Sequence, residues 1–406
     1  METVVKRLTE AERAKTTDDI SLDGVSPAGR IRYPAVGCPA LLSKVEKRSF
    51  DIYVDTGDNT WTVTMRNIKT GIEYNIGTVH ANYDDVSGLY HGLVVLPLGV
   101  QPGLYDLFVT TVEGTCKVPH AVQVYQRFKD YFRFVQLTDT HIGEGWGDNT
   151  NVGDLWALIN RINRLEKPEF VVITGDLTDS GQEEETKYFK ACILKLEVPV
   201  FLTPGNHDNY LDVGTPFTDY REWLNPPVLS PGEDQKYCDD YSFDYGNYHF
   251  IVFNSGDSYG PTHQVEGLTW IQLCWMKQDQ KNAYSNGKTH TFIFTHAPSV
   301  PDGKRDENDP LSDFSHYSAT NYPPGYYDYD AAFVSWLNGE DPNYPEGQYV
   351  EAVIVGHTHQ NHIWYGVDLT NIKKPKEKDN PTGRHILSFS DSAFYIETIT
   401  SCKKYP

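Results

Sequence analysis

The chain has 406 residues, 39% of them hydrophobic and 22% charged, with 32 Gly and 24 Pro. This is a globular composition, long enough at ~150 residues per domain for two or three domains. Its 35 basic and 56 acidic residues leave a formal net charge of −21, a field that repels polyanions and excludes a nucleic acid polymer or an anionic membrane as a default partner.

Residues 1–30 read as an N-terminal arm, charged at first and then Ser/Asp/Gly-rich, with no apolar face in Glu10–Lys15. No run reaches the ~18 apolar residues of a membrane-spanning helix, and the first twenty residues hold no apolar signal core. A soluble chain is expected. The 27 Tyr and 3 Met give a slight lean towards a secreted or extracytoplasmic protein whose leader has been removed.

From Ile31 to Arg127 the pattern has period two. Trp61, Val63 and Met65 alternate with Thr62, Thr64 and Arg66. Asp51–Asp55, Glu73–Ile76, Tyr90–Leu96, Leu104–Thr110 and Val118–Tyr125 are further strand candidates separated by Gly, Pro and Asn. Strands at this spacing predict an all-β sandwich over residues 31–128, of immunoglobulin or fibronectin type. None of the six cysteines lies in a CxxC, which argues against a zinc ribbon or a thioredoxin-like site. Cys38 and Cys116 fall near the ends of the β-rich segment, and the spacing leaves a disulfide between them open.

After Tyr131 the rhythm becomes α/β. Phe132–Leu137, Phe170–Thr174, Val198–Thr203, Tyr248–Asn254, Thr291–Thr295 and Val350–Val355 are apolar strand candidates, and Asn151–Leu165 and Gln182–Leu196 are helical. Apolar strands alternating with amphipathic helices predict a largely parallel, helix-covered sheet over residues 129–406. Two long Tyr/Pro/Asp/Gly-rich stretches, Asn209–Asp244 and Pro301–Asp330, interrupt it, and loops of that length are usually functional or disordered.

The chemistry is at the strand ends. Five strands run into Asp139-Thr140-His141, Gly175-Asp176-Leu177-Thr178-Asp179, Gly205-Asn206-His207-Asp208, His296-Ala297-Pro298 and Gly356-His357-Thr358-His359. The carboxyl rim of an α/β sheet is where ligands bind. Carboxylate, imidazole and amide oxygen together suit two transition-metal ions drawn from Mn, Fe, Zn and Co, with Asp176 the natural bridge. Two such cations acidify a bridging water, bind phosphate oxygens and offset charge in an in-line displacement. They also explain how a chain of charge −21 takes an anionic substrate.

The order DxH, GDxxD, GNHD, a lone His and GHxH resembles the signature of calcineurin-like metallophosphoesterases, from about Tyr131 to the C-terminus. The resemblance implies a four-layer α/β/β/α domain. It implies one ion, divalent or trivalent, on Asp139, His141, Asp176 and His359, and a second on Asp176, Asn206, His296 and His357. It also implies His207 as the unligated residue that protonates the leaving oxygen, with Asp208 orienting it. A preceding immunoglobulin-like domain is similar to that of the purple acid phosphatases. Their pattern has Gly where this chain has His141, and the colour-giving Tyr where it has Asp179, so a colourless enzyme is expected. Asp179 itself reads as structural, capping a helix or holding a loop.

Lys304, Arg305 and Tyr326 are candidates for contact with a small phosphoester substrate. The expected activity is phosphoester hydrolysis by a metal-bound hydroxide with a His general acid, phosphomonoesters favoured. The alternatives are a phosphodiesterase on cyclic nucleotides, nucleotide diesters or phospholipid head groups and, in a different class, a non-catalytic cell-surface binding protein with a vestigial metal site. The sequence leaves the oligomeric state open.

Overall fold

The computed structural model describes residues 6–7, 20–143, 150–209, 218–226, 239–255, 268, 270–297, 330–356, 362–365, 385–388 and 395–400. Of the sites expected from sequence, His357, His359, Lys304, Arg305 and Tyr326 lie outside these residues.

Residues 31–125 form two sheets. Ile31–Tyr33, Ser49–Val54, Leu89–Val95 and Asn82–Asp84 make a four-stranded antiparallel one. Ala40–Ser43, Gly114–Tyr125, Gly103–Thr111, Thr60–Asn67 and Glu73–His80 make a five-stranded one. The period-two pattern accounts for their packing. Trp61, Val63 and Met65 are wholly buried while Thr60 and Thr62 are exposed, and the Trp61 ring lies over Gly92 of the other sheet, closely enough that a Cβ on Gly92 would come to 3.0 Å. Ile52, Val94, Leu107 and Val109 complete the shared core. Cys38 and Cys116 are both free: Cys38 is buried, and Cys116 Sγ accepts from Arg30 Nε at 3.4 Å.

The arm is stitched to the body. Lys6–Arg7 pairs with Ile396 and Tyr395, Ile20 is buried in the core, and Ala28 N–H donates to Glu222 O at 2.6 Å.

Two further sheets follow. In the first, Arg133–Leu137, Phe170–Thr174 and Val200–Thr203 are parallel neighbours. In the second, Tyr248–Val252, His290–Phe294 and Val350–Val355 are parallel neighbours. The parallel strands of both are almost wholly buried, as helix-covered parallel strands must be, and alternate residues choose the partner layer. Phe134, Phe170, Val172 and Phe201 meet Phe250, Phe292, Phe294 and Ile354 of the second sheet, with Phe134 and Phe170 stacked at 5.3 Å. Val135, Val171, Ile173 and Leu202 face Leu155, Leu158, Phe189 and Ile193 of the helices Thr150–Arg161 and Glu183–Ile193. Beyond the second sheet, Ile251, Ile293 and Val353 pack on Leu273, Met276 and Trp336 from the helices Trp270–Ser285 and Asp330–Leu337. Among the described residues no helix is long and apolar enough to cross a membrane.

Candidate metal centre

Because the two central sheets pack face to face, their carboxyl ends deliver loops to one place. The loop after Arg133–Leu137 lies along the loop after Phe170–Thr174. Asp139 N–H donates to Gly175 O at 3.0 Å, His141 N–H to Asp176 O at 2.9 Å and Ile142 N–H to Leu177 O at 3.1 Å. This zipper sets the Asp139 and His141 side chains beside Asp176. It requires backbone that side-chain-bearing residues rarely adopt: Asp139, His141 and Asp176 have φ of +54°, +40° and +47°, each at a cost of about 1–3 kcal/mol. Gly175 follows the same rule at φ +82°, and it also has no room, since a Cβ there would lie 2.5 Å from the His296 ring. Gly205 brings the third loop so close that a Cβ would collide with Asp176 Oδ1.

Asp176 is the centre of the arrangement, 1% exposed. Its Oδ2 lies 3.6 Å from His141 Nε2 and 3.2 Å from His296 Nε2, and its Oδ1 accepts from His207 N–H at 2.9 Å. His296 Nδ1 is 2.9 Å from Thr174 O, which fixes the proton on Nδ1 and presents Nε2 to Asp176 and to Asn206 Oδ1 at 3.2 Å. Burial alone would raise the Asp176 carboxyl, but His296, then His141 and His207, overcome it and hold it well below the usual carboxylate range. Burial would likewise lower His296, yet Asp176 and Asp139 raise it.

Donor atoms of Asp139, Asp176 and His296 lie within 4.8 Å of one another, as do those of His141, Asp176 and His207. Both groups share Asp176. The mixed carboxylate–imidazole set, the amide oxygen of Asn206 and the glycine-lined cradle fit transition-metal ions. These groups bring Asp139, His141, Asp176, His207 and His296 to one place, with the expected ligands His357 and His359 outside the described residues. The ring centroids of His141 and His207 are 4.6 Å apart, edge-on.

Two residues have roles beyond those the sequence suggested. Asp208, expected to orient His207, instead accepts from Gly205 N–H (2.8 Å), Leu177 N–H (3.2 Å), Thr178 N–H (2.9 Å) and Thr178 Oγ1 (2.8 Å). It joins the second and third loops. Burial, then the charge of Asp176, pushes its carboxyl up to about 6 against those hydrogen bonds. Asp179, expected to cap a helix or hold a loop, joins the first loop through its N–H on Ile142 O (3.0 Å), its carbonyl oxygen is also 2.7 Å from His207 Nδ1, and its carboxylate lies 3.4 Å from His141 Nδ1. The helix start is held by Glu185, whose Oε2 accepts from Ser180 and Gln182 N–H at 2.9 and 3.2 Å. The sequence reading also passed over Thr138, whose hydroxyl sits between Asp139 Oδ2 (2.5 Å) and Thr174 O (2.8 Å). The available signals were the placement of Asp179 three residues beyond Asp176 and of Thr138 directly before Asp139.

Several known proteins are similar to this chain. A probable glycerophosphodiester phosphodiesterase GpdQ of Arcobacter nitrofigilis is 33% identical over 177 residues, 42% of this chain and 58% of that protein. A glycerophosphodiester phosphodiesterase GpdQ of Enterobacter lignolyticus is 28% identical over 156 residues, 38% of this chain and 51% of that one. A 3',5'-cyclic adenosine monophosphate phosphodiesterase CpdA of Haemophilus influenzae is 32% identical over 114 residues, 26% and 38% of the two chains. The chain thus spans little more than half the length of these first two relatives. The solved structure of PhoD aligns over 88% of this chain and 76% of its own at 10% identity, with a TM-score of 0.48. The family profile described as calcineurin-like phosphoesterase matches residues 132–361, from the strand that leads into Asp139 to beyond Gly356. That match covers more than half of the sequence, and the chain belongs to the calcineurin-like phosphoesterase family.

Proposed function

We propose that the chain hydrolyses phosphoesters with two transition-metal ions held around Asp176. The observation that carries this reading is a carboxylate buried to 1% exposure with an imidazole nitrogen on either side, at 3.6 and 3.2 Å. One ion would be held by Asp139, His141, Asp176 and His359, the other by Asp176, Asn206, His296 and His357. When bound, such a pair lowers the pKa of water towards neutrality and offsets the charge of the phosphoryl group.

The remaining work belongs to the chain. His207 is half-buried, its side chain 31% exposed, so it can meet a substrate while its Nδ1 stays on the Asp179 carbonyl. In the imidazolium form Nε2–H gives its proton to the leaving oxygen, and the Asp179 carboxylate, 3.8 Å from Nδ1, stabilises the charged ring. Asp208 holds the two loops in register during the reaction. Lys304, Arg305 and Tyr326 would contact the substrate.

For the substrate, the names of the relatives favour a phosphodiester over the phosphomonoester expected from the sequence. We also infer a domain division into an arm (1–30), an immunoglobulin- or fibronectin-like sandwich (31–128) and a four-layer α/β/β/α phosphoesterase domain (129–406). The test is turnover of bis-p-nitrophenyl phosphate against p-nitrophenyl phosphate, with metal-loaded and chelator-stripped protein. Metal-dependent turnover of the diester above the monoester supports the diesterase, and the reverse order supports the monoesterase. Bound metal with no turnover of any phosphoester would support the non-catalytic reading.

A further inference from the structure

Among the described residues five non-glycines have positive φ. Three belong to the metal centre and Lys167 closes the turn Ile162–Glu166. The fifth, His120 at φ +53°, lies in the first half of the chain. It sits in an irregularity of the five-stranded sheet, where the pairing of Gly114–Tyr125 with Gly103–Thr111 jumps from Val118↔Leu107 to Val122↔Tyr105. Bulges re-aim side chains, and strained backbone persists where something depends on it.

Here the re-aimed group is an imidazole. His120 is 8% exposed. Its backbone N–H donates to Asp106 Oδ1 at 3.1 Å, but its ring has no hydrogen-bond partner among the described residues. Its nitrogens are not sealed from solvent, and the group they offer opens into a pocket. The ring lines a cavity of about 550 Å³ between the five-stranded sheet and the end of the helix Glu183–Ile193, where Leu194 forms part of the wall. The pocket is open to solvent on one side.

Arg66 and Lys117 line the same cavity. Beside them is the buried Asp106 carboxylate, its Oδ2 3.4 Å from Arg66 Nη2 and 2.9 Å from Lys117 Nζ. Glu73, directly opposite Arg66 on the neighbouring strand, lines the cavity as well, so two carboxylates balance the two cations and the lining suits a ligand that carries both an anionic and a donor group. Burial first, then Lys117 and Lys195, push the His120 ring down to about 4 against the pull of Asp106. It is neutral at physiological pH, with one N–H donor and one lone pair.

We propose that this cavity binds a small polar metabolite through a phosphate or carboxylate group, with the oxyanion on Arg66 and Lys117, the His120 ring completing its hydrogen bonds, and Glu73 taking a hydroxyl or ammonium of the same ligand. The proposal is independent of the reaction at the metal centre.

The test is NMR of the zinc-loaded full chain with ring-labelled histidine, titrated separately with inorganic phosphate and with succinate, the His120 signal being assigned by His120→Asn. The His120 resonance should shift saturably with phosphate, with succinate or with both, which also distinguishes the two oxyanion classes. Lys117→Met and Arg66→Met, at positions whose side chains are 43% and 40% exposed, should each raise the half-saturating concentration about tenfold or more. A His120 signal that stays still while the histidines of the metal centre respond would overturn the proposal. So would a shift equally strong in both variants.

Discussion

The sheets of residues 31–125 and those that follow Tyr131 obey the same alternation of buried and exposed or differently buried faces, yet the candidate metal centre lies on the second pair. The difference lies in connectivity. In the first pair most neighbouring strands are antiparallel and can be joined by tight turns whose residues are occupied in reversing the chain. In the second pair the central strands are parallel. Their return paths run through helices, so the loops at one rim are free to hold Asp139, Asp176, His207 and His296. Conformational strain separates the regions too, since among the described residues three of the five positive-φ non-glycines are at that rim.

The most severe way to disturb this contrast is at Asp176. Asp176→Asn should lower kcat/KM by about 10³-fold or more, because the residue shared by both donor groups loses its charge; a phosphodiester assay checks it. His207→Ala should lower turnover by ~10²–10⁴ with metal content unchanged. Full activity of that variant on substrates with poor leaving groups would count against a proton donor at this position. Trp61→Ala addresses the other region. Removing a wholly buried ring should cost about 3–5 kcal/mol of stability, read by urea unfolding, while the folded variant retains its metal. Loss of metal from folded Trp61→Ala protein would mean that the regions are less separable than their topology implies.

The smallest effect concerns pH. His249 lies 2.9 Å from Asp244 and 3.1 Å from Asp279. Burial would lower its pKa, but hydrogen bonds to those carboxylates raise it from 6.5 to about 9. Its folded pKa exceeds the unfolded one, so the contribution is complete below about pH 6.5 and is lost as pH rises through about 9. It amounts to ~1–3 kcal/mol. Denaturant titrations between pH 6 and 10 on wild type and His249→Gln should show a loss in the former that is absent in the latter.

The strands were legible because burial follows their pattern: Thr60–Asn67, Phe170–Thr174 and Val350–Val355 lie within a residue or two of where alternation or apolar runs place them. The helix Trp270–Ser285 was not, because its residues reverse the usual rule. Trp270 and Ile271 are exposed, whereas Gln272, Lys277 and Gln280 are buried on polar partners, Gln272 on Asp240 and Lys277 on Asp341. A periodicity search reads such a segment as featureless. The site residues within the described parts were legible as a set, since each follows a strand, but their division of labour was not. Whether Asp208 or Asp179 orients His207 depends on how two loops lie against each other, and sequence spacing carries no such information. The cysteines make the same point: Cys38 and Cys116 bracket a β-rich segment in sequence but remain unbonded.

The account depends on Asp176 being shared by two cations, and anomalous X-ray scattering from metal-loaded crystals tests it most directly. The prediction is two peaks per chain, one on either side of the Asp176 carboxylate, both lost or strongly weakened in Asp176→Asn. A single peak, or two peaks of which neither lies against Asp176, would contradict it.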